Sequence, residues 1–213
     1  MFLRINTGGI SYLEPLTGSL DWYWGTDYTS GDLYEAEELF LDGHPIRCNR
    51  FILVHWPDGR VVEPIPAREG QYFGRPVYDN GTPVIFLADF PVGELRLLRY
   101  EDASGLVKPI VILPRCAAVN CYNLMPNQSP LCLTRQSGER FQIVWPDTAD
   151  FAIHPAESFC FRENNKLYFS RWYEDPEYRE EVVIRRFPDG EILDQFRGSV
   201  NIMSNGQPWL LTE

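Results

Sequence analysis

Trp56-Pro57-Asp58-Gly59, Trp145-Pro146-Asp147 and Phe187-Pro188-Asp189-Gly190 decide how this 213-residue chain is read. Chance predicts roughly 0.15 aromatic-Pro-Asp tripeptides in a chain of this composition, so three copies mark a repeat. The first two lie 89 residues apart and the last two 42 apart, so a copy is missing near residue 100. Tyr100-Glu101-Asp102-Ala103-Ser104-Gly105 stands there, an aromatic followed by an acidic turn and a glycine. One period further upstream lies Tyr12-Leu13-Glu14-Pro15-Leu16-Thr17-Gly18. The markers at 12, 56, 100, 145 and 187 are then 44, 44, 45 and 42 residues apart.

The marker has a mechanical reading. Proline presets φ at the second position of a type I turn, and glycine accepts a positive φ at the fourth. Strands should flank such a turn. Phe51-Ile52-Leu53-Val54, Leu95-Arg96-Leu97-Leu98, Phe141-Gln142-Ile143-Val144 and Val182-Val183-Ile184 precede the four later markers. Arg60–Ile65, Leu106–Ile112 and Glu191–Phe196 follow three of them. A second hairpin accompanies each period. Tyr78-Asp79-Asn80-Gly81, Glu163-Asn164-Asn165 and Ser204-Asn205-Gly206 are turns that tolerate positive φ between short apolar runs, and 121–133 is a looser copy. Each period therefore holds four short antiparallel strands, a, b, c and d.

Four-stranded antiparallel units repeated every 42 to 45 residues resemble the blades of a β-propeller. The resemblance spans nearly the whole chain and specifies architecture. Neither the Gly-His…Trp-Asp signature of WD40 blades nor the Gly-Gly pairs of kelch blades is present. It implies an all-β, five-bladed propeller in a single domain over 1–213. The blades fall at about 21–66, 74–113, 117–155 and 157–198, and the fifth combines 199–213 with 1–17. In that fifth blade the N-terminal strands (Phe2–Ile5 and Ile10–Leu16) pair with the C-terminal ones (Val200–Leu211). Closure of this kind protects the open sheet edges that otherwise invite aggregation.

One segment pulls in two directions. Asp32-Leu33-Tyr34-Glu35-Ala36-Glu37-Glu38-Leu39-Phe40 occupies the place of strand b in the first blade. It also carries a helical signature, with Asp32 as cap, Glu35 at the capping-box position, and Leu33, Ala36 and Phe40 on one face. The propeller frame favours strand, since tertiary context overrides propensity.

Composition narrows the function classes. With 19 basic and 30 acidic residues the net charge is −11. Such a chain gains nothing from counterion release on nucleic acid and is repelled by anionic membranes, so neither is expected as a partner. The absence of an 18-residue apolar run argues against a membrane span. The N-terminus lacks a secretory pattern. Five cysteines (Cys48, Cys116, Cys121, Cys132 and Cys160) read as reduced thiols, four of them in apolar or aromatic surroundings, and favour a cytoplasmic location. Cys116 and Cys121 have no histidine at zinc spacing. His44, His55 and His154 are scattered, so no metal is expected. The absence of Gly-x-Ser-x-Gly, P-loop, HExxH and dinucleotide fingerprints leaves no cofactor to expect.

The resemblance puts ligands on the face carrying the d-to-a connections. Those segments bring forward Arg68, Glu69, Tyr72, Arg115, Asn120 and His154, and the crowded Trp22-Tyr23-Trp24 adds Trp22 and Trp24 as stacking surfaces for a sugar or a peptide side chain. The leading expectation is a non-enzymatic binding or scaffold protein for a small molecule, a glycan or a protein. Solvated loop ion pairs and inter-blade packing account for the same residues more blandly. The acidic runs 32–42 and 174–181 read as a solubilising rim or as a docking surface for a basic partner. The alternative is a small glycosidase-like enzyme using two channel-mouth carboxylates, Asp21 and Glu157, with Glu69 as a third. Asp79 belongs to a hairpin turn instead. Five bare blades leave no long loops to enclose a sugar, which weighs against that alternative.

Overall fold

The computed structural model describes residues 2–175 and 177–212. Met1, Pro176 and Glu213, which fall within the expected closing blade and the second acidic run, lie outside the described residues. The described residues are all-β apart from one helix and a single 3-10 turn, and their sheets are propeller-type blades. The chain divides into two compact units, Met1–Cys121 and Tyr122–Glu213.

In the first unit, β1 (Glu14–Pro15), β2 (Trp22–Thr26), β3 (Phe51–His55) and β4 (Arg60–Val62) form one antiparallel meander. A second contains β5 (Gln71–Asp79), β6 (Thr82–Asp89), β7 (Glu94–Glu101) and β8 (Leu106–Pro114). Leu16, Trp22, Phe51, Leu53, Phe73, Ile85, Leu87, Leu98 and Tyr100 form the core that these two sheets share. On the opposite face of the first sheet, Ile10 covers Ile52 and Val54.

In the second unit, β9 (Leu124–Asn127), β10 (Cys132–Ser137), β11 (Arg140–Trp145) and β12 (Ala149–Ala152) make the third meander. The fourth sheet has five strands: β13 (Glu157–Glu163), β14 (Lys166–Tyr173), β15 (Arg179–Arg186), β16 (Ile192–Ile202) and β17 (Pro208–Thr212). Cys132, Phe141, Ile143, Leu167, Phe169 and Val183 pack between them, with Phe141 and Phe169 edge to face at 5.1 Å.

The repeat phase holds. All four later markers sit between the third and fourth strands of a sheet: Trp56 to Asp58 between β3 and β4, 102–105 between β7 and β8, Pro146 and Asp147 between β11 and β12, and Phe187 to Asp189 between β15 and β16. Glycine closes three of these turns identically. Gly59, Gly105 and Gly190 have φ of 69°, 67° and 76°. Each donates its N–H to the carbonyl four residues back, at 2.8 Å. The positive φ is the reason for glycine there. The Trp56-Pro57, Trp145-Pro146 and Phe187-Pro188 peptide bonds are all cis. Proline's tertiary amide makes that isomer accessible. The Asp79-Asn80-Gly81-Thr82 hairpin forms as expected, with φ of 48° at Asn80 and 78° at Gly81.

Three expectations change. The described residues form four sheets rather than five blades. The expected closing blade of 199–213 with 1–17 does not form among the described residues: β1 pairs with β2, and β17 pairs with β16. Residues 2–5 are not strand, and Gly8 and Gly9 turn the chain with φ of 65° and 101°. Arg50 holds that turn by donating to the Gly8 carbonyl at 2.9 Å while pairing with Glu63. At the other end β16 runs unbroken from Ile192 to Ile202, so 199–202 continues the strand that pairs with β15, and β17 adds outside it. The first blade accordingly begins at Glu14 rather than at residue 21, and Trp22–Thr26 is its second strand.

That shift frees the ambiguous segment, which is a helix, α1 (Leu33–Leu41), not the strand that the frame favoured. Its capping box is complete. Asp32 accepts from the Tyr34 and Glu35 amides, and Glu35 accepts from the Asp32 amide at 2.7 Å. Leu33 and Ala36 are buried, and Phe40 stacks on Phe90. Buried Glu37 takes the Arg115 guanidinium on one oxygen and the Cys121 amide on the other. The helix thus fastens the chain where it leaves the second sheet.

Candidate functional site

The first unit carries an aromatic cleft where the first strand of one sheet faces the first strand of the next. Its walls are Tyr12, Glu14, Trp24, Gly25, Thr26, Tyr28, Thr29, Tyr72, Phe73 and Arg75, around a volume of about 270 Å³. Each wall has a structural cause. Trp24 stacks on Phe51 at 6.2 Å, and Phe51 stacks on Phe73 at 5.4 Å. Both phenylalanines are core residues, so the indole is held by a column that begins in the hydrophobic interior. Gly25 lets residues 10–13 lie against the sheet, because a Cβ there would meet the Tyr12 carbonyl oxygen at 2.7 Å. Glycine inside a strand marks such a close backbone approach. The approach sets Tyr12 on the rim, where it stays 72% exposed.

Tyr28 and Tyr72 meet edge to face at 6.0 Å, and the Tyr72 hydroxyl donates to the Gly31 carbonyl at 3.3 Å. Burial, then the neighbouring Asp32, pushes the Tyr72 phenol up to about 12. Tyr72 therefore offers a neutral ring whose hydroxyl is already engaged. Glu14 and Arg75 face each other at 3.9 Å, with side chains 41% and 63% exposed. A pair this loose and wet adds little to stability and keeps its donors and acceptors open to a ligand.

The second unit has a cleft at the equivalent place in the repeat. Asn123, Met125, Asn127, Thr134, Gln136, Phe141, Ser158 and Phe159 line about 300 Å³. Strand register makes the correspondence explicit, since Glu14 pairs with Trp24 in β1–β2 and Met125 pairs with Thr134 in β9–β10. This cleft has no charged lining residue. Its amides are largely spent inside the protein: Gln136 donates to the Glu157 carbonyl and accepts from the Phe159 amide, and Asn127 donates to Thr134 at 2.7 Å.

Of the residues singled out from sequence, Trp24 and Tyr72 share the aromatic cleft. Trp22 lies in the core, edge-on to Tyr100 at 5.9 Å and His55 at 4.9 Å. Arg68 and Glu69 are exposed in the β4–β5 connection, outside that cleft's lining. Arg115 is engaged by Glu37, and Asn120 lies half-buried between β8 and β9. His154 is exposed, with its Nδ1 receiving the Ala156 amide. Asp21 is exposed. Glu157 is fully buried: one oxygen accepts from Arg171 at 2.9 Å and Arg185 at 3.0 Å, and the other from Arg185 at 2.8 Å. A carboxylate clasped this way has no face turned toward a substrate. Among the described residues no group of three or more His, Cys, Asp or Glu is placed to hold a metal. None of the five cysteines is in a disulfide. Cys121 and Cys132 are buried and Cys160 is half-buried, whereas Cys48 and Cys116 are exposed. No described helix is long and apolar enough to cross a membrane.

Sequence reasoning passed over Glu14, Thr26, Tyr28 and Arg75 and read Tyr12 only as a turn marker. Gly25 between Trp24 and Thr26 was the available signal. No family model matches the chain, and no curated protein matches it.

Proposed function

We propose that the protein is a non-enzymatic binding module whose ligand is a saccharide, held in the cleft of Tyr12, Trp24, Tyr28 and Tyr72. The observation that carries this reading is a solvent-open aromatic wall, anchored on the core, beside an uncommitted carboxylate and guanidinium. Aromatic faces suit the apolar C–H face of a sugar ring and keep their geometry at little entropic cost. Sugar hydroxyls both donate and accept, and Glu14 with Arg75 supplies both functions at one end. The cleft lies just below the usual range of roughly 300–1,000 Å³ for small-molecule sites, which fits one or two rings rather than an extended chain.

Isothermal titration of the purified protein against a panel of mono- and disaccharides tests the reading. Binding of at least one sugar is expected, lost on Trp24→Ala. Tyr12→Ala should weaken it by about 1 kcal/mol, the worth of one aromatic contact. Tyr12 is exposed enough that its loss leaves the fold alone. No heat with any sugar, or undiminished binding by a folded Trp24→Ala protein, contradicts the proposal.

A further inference from the structure

The register that builds the aromatic cleft also sets a carboxylate beside an indole. Glu14 and Trp24 are direct partners in the β1–β2 ladder, so their side chains stand next to each other on one face. The face of an aromatic ring is electron-rich, and that of tryptophan attracts cations most strongly. Tyr12, Tyr28 and Tyr72 line the same cleft, so its walls favour a cation and disfavour an anion. Carboxylates deepen that bias. Asp27 is exposed between the lining residues Thr26 and Tyr28. Asp32 and Glu35, at the start of α1, spend hydrogen bonds on the helix cap but keep their charge, and after burial both help to raise the Tyr72 phenol. Arg50 and Arg75 oppose them weakly. Arg50, whose amide donates to Asp27, has Nε, Nη1 and Nη2 all engaged by Glu63 and the Gly8 carbonyl. Arg75 reaches Glu14 only at 3.9 Å with its side chain 63% exposed, so water keeps it solvated when a ligand takes the carboxylate.

We infer that the sugar held in this cleft carries a free ammonium group, a hexosamine rather than a neutral or acidic hexose, with its nitrogen between the Glu14 carboxylate and the Trp24 face. This rests on the saccharide reading and names the class of sugar. An ammonium there gains an ion pair and a cation–π contact from two residues that strand register already holds side by side. An acidic sugar would meet Arg75, but its carboxylate would lie against aromatic faces and among Glu14, Asp27, Asp32 and Glu35. A neutral sugar stacks on the same rings and leaves the Glu14 charge unanswered. The cleft of the second unit sharpens the contrast, since its matching pair is Met125 and Thr134, neither charged nor aromatic.

Isothermal titration of the intact chain tests the inference with the 2-amino, 2-acetamido, neutral and uronic acid forms of one hexose, in the gluco, galacto and manno series. The work is done at about pH 6, where an amine of α-amino basicity is protonated and carboxylates are ionised. The 2-amino form of the series that binds should bind about tenfold more tightly than its acetamido and neutral counterparts, and the uronic acid most weakly. Raising salt from about 0.02 to 0.5 M should shrink that preference and leave the neutral sugar's affinity in place. Glu14→Gln, which keeps the shape of the side chain, should cut the preference by about threefold or more. Asp27→Asn, outside the lining and still able to accept the Arg50 amide, should reduce it by a smaller factor with neutral-sugar affinity unchanged. A neutral or acidic form that binds as tightly as the 2-amino form overturns this inference and leaves the saccharide reading standing, as does a preference that a folded Glu14→Gln protein keeps whole. No binding in any series overturns both.

Discussion

Glu157 shows what a single residue can decide. From sequence it is a carboxylate on a connecting loop; in the structure it is buried in ion pairs with two arginines inside the fourth sheet. Breaking a buried ion pair from one side costs about 3–5 kcal/mol, because it strands the remaining charge. Glu157→Gln should therefore lower unfolding free energy by about that much in denaturant titration, and leave saccharide binding in the folded protein intact. Tyr72 gives a pH signature. Its folded phenol is held near 12 while an unfolded tyrosine ionises near 10. Between those values the unfolded chain has lost the proton and the folded chain has kept it, so stability falls as pH rises through this window and is fully present below it. Tyr78, Tyr100 and Tyr168 are shifted upward too, all through burial first, and they steepen the same loss. Tyr72→Phe should flatten part of the alkaline decline in a thermal-denaturation series from pH 9 to 12.

Among elements, the turns were the most legible and the strand pairing less so. Asp79-Asn80-Gly81 and the glycine-closed markers write their backbone requirement into residue type, and each forms where expected. The capping box of α1 was equally plain, yet the repeat frame outweighed it because the frame was placed one strand late. The short β1, two residues of which one is proline, carries no periodicity to detect. Local chemistry was the better guide there. Asp32→Ala should cost about 1 kcal/mol by removal of the helix cap, measurable by chemical denaturation. Gly25→Val should act differently, forcing the Tyr12 backbone off the sheet and opening the cleft. Its expected result is a loss of sugar affinity larger than that of Tyr12→Ala.

At the level of the whole molecule, the repeat was readable because four later copies keep one turn, whereas the expected fifth blade rested on the chain's two ends. Those ends obey nearer constraints, Gly8-Gly9 at one and the continuous β16 at the other. The site was half-legible. Trp24 and Tyr72 advertise themselves as aromatics, but Glu14, Tyr28 and Arg75 come together only through the packing of three strands from two sheets. The equivalent cleft of the second unit, built on the same repeat positions with spent amides, is the internal control. Titration of ¹⁵N-labelled protein with the tightest sugar, followed by amide chemical shifts, tests the central claim most directly. The account predicts shifts confined to residues 12–14, 24–29 and 72–75, with 123–127 and 134–136 silent. Shifts centred on 123–136 or on 154–158, with 12–14, 24–29 and 72–75 unmoved, would contradict it.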